Sequence, residues 1–136
     1  MGMIEAVRFC GYVTGSDIPL YYRLADVTVD PVYDDPSGRG RLPLKLFESW
    51  AAQVPFVTGD VGDRRMVLGS PPAGILAQPG DPASLSSSIL QVLQNPELTN
   101  ELVQRGLERA RLFSWERLAQ QLESIYQQAL VQRKPR

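Results

Sequence analysis

Residues 37–52 read SGRGRLPLKLFESWAA, a basic stretch with two glycines that runs into a helical pattern. Pro43 favours a helix that begins there, because its missing N–H would have no acceptor at the first helical position. Apolar residues cover most of this helix, so we expect it to be mostly buried. They are Leu44, Leu46, Phe47, Trp50, Ala51 and Val54. One narrow face, with Lys45, Glu48 and Ala52, stays outside this burial.

The start of the predicted helix is a candidate phosphate site. Leu42, which precedes Pro43, has no side chain that can cap the first amides. A bound anion would satisfy those amides, because a helix N-terminus carries partial positive charge. Arg39 and Arg41 add forked donors suited to phosphate. Glu48, one turn further along, would accept hydrogen bonds from hydroxyl groups of the same ligand.

A purely structural interpretation of the same residues stays open. Lys45 and Glu48 are three residues apart, a spacing at which surface ion pairs form on helices. Arg39 and Arg41 would then be solvated loop charges, and exposed charges of this kind contribute little to stability.

The 136 residues carry a formal net charge of −1 and are 43% hydrophobic. This length fits one domain with a real core, and the near-neutral charge argues against a nucleic-acid-binding protein. The chain has no histidine and one cysteine, Cys10. These counts exclude Ser-His and Cys-His pairs, histidine bases and the common zinc sites. Any chemistry must therefore use carboxylates, Lys, Arg or backbone amides.

The sequence contains no apolar run approaching ~18 residues and no signal-peptide pattern in residues 1–13. We expect a cytoplasmic protein, and peripheral contact with a membrane in a full-length enzyme stays open. The basic tail, residues 131–136, is expected to be a solvated chain end.

Short apolar runs alternate with helical patterns along the chain. Strands are predicted at residues 7–10, 27–29, 55–58 and 74–77, and helices are predicted to begin near residues 17, 43, 62, 82, 96 and 115. This order indicates a Rossmann-like α/β fold, a doubly wound parallel sheet followed by C-terminal helices. Ligands of such sheets bind at the carboxyl ends of the strands. The loops expected there are 11–17, 30–42, 59–62 and 78–81, and the second contains the candidate phosphate site.

Residues 7–130 resemble the C-terminal, nucleotide-sugar-binding domain of GT-B glycosyltransferases of the group 1, or family four, type. The resemblance is carried by pieces in the family's order: VRFCGYV at 7–13, IPLYYRLADV at 18–27, DP at 30–31, PLKLFESWA at 43–51, VPFVT at 54–58, GIL at 74–76, PGD at 79–81 and FSW at 113–115. It implies that residues 1–136 form part of such a domain.

The resemblance also implies roles for individual residues. Glu48 matches the second glutamate of the family's paired motif, which accepts hydrogen bonds from the ribose of a nucleoside-diphosphate-sugar donor. The segment before the helix and the first helical turn would hold the diphosphate and the donor sugar; its residues are Arg39, Gly40, Arg41, Leu44 and Lys45. Tyr12 and Val13 match the loop whose backbone contacts the nucleobase. The family transfers the sugar with retained configuration, and the resemblance implies no cofactor and no metal.

The sequence departs from the family pattern in two places near this motif. The first glutamate of the pair should stand eight residues before Glu48, and that position is Gly40. Because this glutamate contacts the donor sugar in the family, its loss bears on sugar selectivity or activity. Gln53 replaces a glycine that usually separates the helix from the next strand, and we expect this change to be tolerated.

The family domain begins with two further strand-helix units, and a separate N-terminal domain binds the acceptor. Neither is present here, so we expect the chain to be the C-terminal portion of a longer enzyme and to be inactive alone. Its expected partners are a nucleotide sugar, an acceptor that is a saccharide, a lipid or a small molecule, and the missing N-terminal domain. A non-catalytic nucleotide-binding or regulatory module is the alternative. A receiver-type signalling domain is disfavoured, because residues 77–79, AQP, supply no lysine.

Overall fold

The structure, a computed structural model, describes residues 3–132 and contains a parallel sheet of three strands within them. The strands are β1 (Thr28–Asp30), β2 (Phe56–Gly59) and β3 (Ile75–Ala77), hydrogen-bonded in the order β1-β2-β3. Val57 in the middle strand lies opposite Val29 on one side and Ile75 on the other. The predicted α/β class and parallel strands are confirmed.

One helix precedes the first strand, others connect the strands, and three follow the last strand within residues 3–132. The helices are α1 (Ile18–Arg23), α2 (Pro36–Gly40), α3 (Leu44–Ala51), α4 (Arg64–Leu68), α5 (Pro82–Gln94), α6 (Pro96–Leu112) and α7 (Trp115–Gln132), with a 3₁₀ turn at Ile4–Ala6. The first two helices after the sheet begin where predicted and are capped: Asp81 accepts from the amides of Ala83 and Ser84, and Asn95 accepts from the amide of Leu98. No helix in this part of the chain is long and apolar enough to cross a membrane.

The two faces of the sheet are covered by different helices, because successive side chains of a strand point to opposite faces. Phe56 packs on one face with Leu46 and Trp50 of α3 and with apolar residues of α4. Val57 packs on the other face with Val92 of α5 and Leu102 of α6. All four residues of the middle strand are therefore buried, as is typical of a parallel strand with both faces covered.

Trp50 fastens α3 to the rest of the core. Its side chain is 1% exposed, and its indole Nε1 donates to the carbonyl of Ala73 at 2.8 Å. Gly106 of α6 lies against the same indole, and a Cβ built at that glycine would stand 2.5 Å from Trp50 Cδ1. Helix α6 therefore crosses α3 at a distance that only glycine permits at this point.

A buried ion pair joins the end of β1 to α4. Arg64 is 0% exposed; its Nη2 donates to Asp30 Oδ2 at 3.2 Å and its Nε donates to Thr58 Oγ1 at 3.1 Å. Its Nη1 donates to the carbonyls of Gly38 and Val61 at 3.0 and 3.1 Å. The guanidinium thus connects two strand ends, α2 and the loop before α4, and four hydrogen bonds offset part of the cost of burying its charge.

Residues 7–10, predicted as the first strand, are not a strand in the structure. Phe9 is 93% exposed and Val7 is 48% exposed. A strand is stabilised by the hydrogen bonds of a neighbouring strand, and this segment pairs with none among residues 3–132. Apolar, β-branched composition alone therefore did not determine its conformation.

Three expectations about residues 37–52 were also wrong. Part of the predicted glycine loop is helical, since α2 spans Pro36–Gly40 and Asp35 caps it by accepting from the Gly38 amide at 2.6 Å. Pro43 precedes α3 as its N-cap residue rather than being its first residue. In addition, Leu44 and Ala51 are exposed, because α3 buries one side on the sheet and turns the other to solvent.

The last helix, α7, is confirmed, but its apolar stripe faces solvent. Side chains 119–132 are all exposed, including Leu122 and Ile125 at 49% and 59%. Of the predicted basic tail, residues 133–136 lie outside the described residues.

Gly106→Ala should lower the free energy of unfolding by about 1–2 kcal/mol, although alanine favours a helix interior by roughly 1 kcal/mol. The added methyl group would collide with the fixed indole of Trp50, and overpacking of this kind typically costs about 1–3 kcal/mol. Urea denaturation measures the change. Gly15→Ala, where a Cβ meets nothing within 4 Å, is the control, and equal stability of the two variants would contradict the close packing.

The stability should fall in acid because of Asp30. Burial alone would raise the pKa of this carboxyl, but hydrogen bonds from Arg64, Arg41 and Lys45 outweigh burial and hold the pKa below its usual value. A lowered pKa stabilises the folded state above the unfolded value of about 4, and this stabilisation is lost as the pH falls towards the folded pKa.

Asp30→Asn should therefore cost about 3–5 kcal/mol at pH 7, because it leaves Arg64 buried without a counterion. The difference from the unsubstituted chain should shrink between pH 5 and pH 3, as followed by urea denaturation. Asp34→Asn, at an exposed ion pair with Arg39, should change stability little at either pH. A penalty at Asp30 that is independent of pH would contradict the assigned role of its charge.

Candidate functional site

The carboxyl end of β1 carries more positive than negative charge. Asp30 is 1% exposed and lies against three cations: Arg64 behind it, and Arg41 and Lys45 in front. Asp30 Oδ1 accepts from Lys45 Nζ at 3.2 Å and from Arg41 Nη1 at 3.1 Å. The side chains of Arg41 and Lys45 stay 44% and 43% exposed. One carboxylate thus holds two half-exposed cations at the surface, where an anion can reach them.

The first amides of α3 lie in the same place. The first helical hydrogen bond is donated by the Leu46 amide to the Pro43 carbonyl at 3.2 Å, so the amides of Leu44 and Lys45 precede the helical ladder. Pro43 provides no side-chain cap. The cap residue is thus Pro43 and not Leu42, and no side chain caps the first amides of α3.

Arg39 is not part of this cluster. It forms a two-pronged pair with Asp34, at 2.6 Å from Nε and 3.1 Å from Nη2, and this guanidinium lowers the pKa of the Asp34 carboxyl. Both side chains are more than half exposed. Of the two arginines predicted to bind phosphate, the structure brings Arg41 beside Lys45 and pairs Arg39 elsewhere.

Gly40, the last residue of α2, stands where the family pattern has its first glutamate. A Cβ built at Gly40 meets nothing within 4 Å. The position therefore has room for a larger side chain, and packing does not require glycine there.

Glu48 lies on the exposed side of α3, three residues after Lys45. Its Oε2 accepts a hydrogen bond from Tyr22 Oη of α1 at 2.7 Å. Burial first, and then the hydrogen bond and negative charge of Glu48, raise the pKa of the Tyr22 phenol. The Lys45–Glu48 ion pair considered from the sequence is not among the ion pairs of residues 3–132, because each side chain has another partner.

The predicted nucleobase-binding residues are separated by the structure. Val13 is half-buried and lines a surface hollow with Ile18, Tyr22 and Thr28. Tyr12 is 92% exposed. A second hollow, lined by Tyr22, Arg23 and Glu48, shares Ile18 and Tyr22 with the first. Val13 and Glu48 therefore line adjoining hollows, and the side chain of Tyr12 points into solvent.

The loops after the three strands enclose a further cavity. It has a volume of about 120 Å³ and is lined by Pro31, Tyr33, Gly59, Gln78 and Leu85, among others. It is a mainly apolar recess at the carboxyl edge of the sheet, on the side of α5. Within residues 3–132, no group of three or more His, Cys, Asp or Glu side chains is arranged to hold a metal ion.

Sequence reasoning did not assign roles to Asp30, Arg64 and Tyr22. The sequence places Asp30 only at the start of the loop 30–42, although a carboxylate at the carboxyl end of a buried parallel strand is itself a signal of a site. Nothing in the Arg64-Arg65 pair distinguishes the buried arginine from its exposed neighbour. Tyr22 lies 26 residues from Glu48, and no local pattern predicts that contact.

Known proteins resemble this chain over most of its length. It is 29% identical over 136 residues to the D-inositol 3-phosphate glycosyltransferase of Salinispora tropica, which covers 100% of this chain and 27% of that protein. It is 33% identical over 120 residues to the O-antigen chain mannosyltransferase B of Escherichia coli, covering 88% of this chain and 30% of that protein. The structure of sucrose-phosphate synthase from Thermosynechococcus elongatus matches 93% of this chain and 31% of that chain, with a TM-score of 0.78 and 29% identity.

The chain spans about three tenths of the length of these relatives. Its residues 2–95, more than half of the chain, match the family model described as glycosyl transferases group 1. The chain therefore belongs to the group 1 glycosyl transferases, the GT-B family that its motifs predict.

Proposed function

We propose that this chain is the donor-binding part of a retaining glycosyltransferase that takes its sugar from a nucleoside diphosphate sugar. The observation that supports this most directly is the excess positive charge of Arg41 and Lys45 at Asp30, with Glu48 about one helical turn after Lys45 on α3. Lys45 and Glu48 lie on one helix about 4.5 Å apart along its axis. A nucleoside diphosphate carries its anionic phosphates next to its ribose hydroxyls, and this spacing suits both groups.

The proposed chemistry is electrostatic. Cleavage of the bond between the donor sugar and the diphosphate leaves negative charge on the departing phosphate, and fixed donors that face this charge lower the barrier. Arg41, Lys45 and the amides of Leu44 and Lys45 would supply these donors, and Asp30 holds both cations in place. Because cations are already present, the proposal needs no metal ion and no cofactor. The Tyr12 and Val13 backbone would contact the nucleobase.

The acceptor is left open by the comparisons. The names of two relatives mention an inositol phosphate and an O-antigen chain, so similarity does not select one class among saccharides, lipids and small molecules. We propose that a further domain of the complete protein binds the acceptor and that the transfer takes place in the cytoplasm.

The alternative is a non-catalytic nucleotide-binding module, and Gly40 is the observation that favours it. The glutamate missing there would contact the donor sugar in the family, and room for it exists. A sugar-transfer or donor-hydrolysis assay on the protein as its gene encodes it separates the two. Binding without turnover of any donor would favour the module.

Glu48→Ala should weaken nucleoside diphosphate binding by ~1–3 kcal/mol, because ribose hydroxyls would lose a charged acceptor. Ligand-observed NMR competition among UDP, GDP and ADP identifies the preferred nucleotide and gives the affinity. Glu123→Ala, at an exposed carboxylate of α7, is the control. Unchanged binding by a folded Glu48→Ala variant would remove Glu48 from the site.

Lys45→Met should weaken binding of the diphosphate about tenfold, or ~1.4 kcal/mol, since Lys45 is half exposed and its charge is partly screened. Binding of the corresponding nucleoside without phosphates should not change. Arg39→Met, which removes a cation already paired with Asp34, is the matched control. Equal losses in the Lys45 and Arg39 variants would show a general charge effect and contradict a local phosphate site.

A further inference from the structure

Glu48 is held by a tyrosine to which neither its motif nor the proposed chemistry gives a role. Tyr22 Oη donates to Glu48 Oε2 at 2.7 Å and so ties α1 to α3. Among the hydrogen bonds of residues 3–132, none reaches Oε1 of this carboxylate. A hydrogen bond to an ionised acceptor is stronger than one between neutral groups, so the contact fixes one oxygen and leaves the other available.

Tyr22 also lies between the two parts of the proposed nucleotide site. Tyr22 lines the hollow that is also lined by Val13 and Thr28, and it lines the adjoining hollow that is also lined by Glu48 and Ala52. A nucleoside with its base towards Val13 and its ribose at Glu48 would lie along this ring. The ring is half-buried, which limits its own movement.

The Tyr22 hydroxyl stays protonated and therefore keeps its hydrogen bond to Glu48 over a wide pH range. Burial and the neighbouring Glu48 raise the pKa of Tyr22, so the hydroxyl keeps its proton at neutral and moderately alkaline pH. An exposed glutamate on a helix otherwise samples several rotamers, and ordering it on ligand binding costs free energy. A carboxylate that is ordered beforehand avoids that cost.

We propose that Tyr22 is a positioning residue for ribose recognition: its hydroxyl binds one oxygen of Glu48 and orients the other towards the ribose hydroxyls of the nucleotide. This inference rests on the proposed function, because it assumes that Glu48 accepts from a ribose. It gives α1 a role in substrate selectivity. The sequence alone assigns no such role to any residue of that helix.

The test compares nucleotides with and without ribose hydroxyls. The experiment measures two affinities on the protein as its gene encodes it. One is for the preferred diphosphate among UDP, GDP and ADP, and the other is for the 2′,3′-dideoxy form of that diphosphate. Tyr22→Phe keeps the ring and removes the hydroxyl, and the ribose-to-dideoxyribose affinity ratio should fall about three- to tenfold as preorganisation is lost. A role confined to packing would weaken both ligands equally and leave the ratio unchanged.

Two further variants complete the experiment. Tyr126→Phe makes the same chemical change on the exposed face of α7 and should leave the ratio unaltered. In a Glu48→Gln background, Tyr22→Phe should have no further effect on the ratio, because the two residues act as a unit.

Each outcome bears on a separate claim. An unchanged ratio in Tyr22→Phe overturns the positioning role, and a higher ratio overturns it by showing that the phenol competes with the ribose. If the unsubstituted protein does not distinguish the two ligands, or if Glu48→Gln leaves the ratio unchanged, the proposed function fails and the positioning role fails with it.

Discussion

The contact between Asp30 and Arg64 is the constraint on which the site depends. A fully buried guanidinium must find acceptors, and Arg64 finds them on β1, β2, α2 and the loop before α4. This fixes where the chain runs after β1 and brings α2 down onto the carboxyl edge of the sheet. Gly38 fits there because a Cβ would stand 2.2 Å from the Tyr33 carbonyl. Buried ion pairs are costly to form but more costly to break, so this path has few alternatives.

The positive surface is a consequence of this arrangement. A single buried carboxylate cannot neutralise three cations, and the two that face solvent, Arg41 and Lys45, carry the excess. Their positions are set by Asp30, so they do not have to be ordered when an anion binds, which reduces the cost of binding. The same helix that presents Lys45 presents Glu48, and α1 holds Glu48 through Tyr22. One helix, α3, thus carries both the proposed cation for phosphate, Lys45, and the proposed carboxylate for ribose, Glu48.

The sequence predicted well what depends on local signals. Prolines and capping residues located α5 and α6, and the apolar runs located β1, β2 and β3 to within a residue or two. The prediction failed at residues 7–10, where a strand pattern has no partner strand. It also failed at α2, because the two glycines of that segment favoured a loop. For the candidate site, the motif predicted Glu48, Arg41 and Lys45 as neighbours. The sequence could not show that Arg39 pairs with Asp34. Two carboxylates and two arginines lie within residues 34–41, and exposed charges of this kind form several pairings of similar energy.

By itself, the sequence determined the α/β class, the order of the three strands and of the helices other than α2, the family and the identity of the carboxylate that we propose to bind ribose. These follow from periodicity, capping and motif order, which are local properties of the chain. Only the tertiary structure decided which arginine is buried, that Asp30 is the centre of the charge cluster, and that Tyr22 contacts Glu48. Such pairings depend on distances between residues 11 to 34 positions apart, and the packing of helices on the sheet sets those distances.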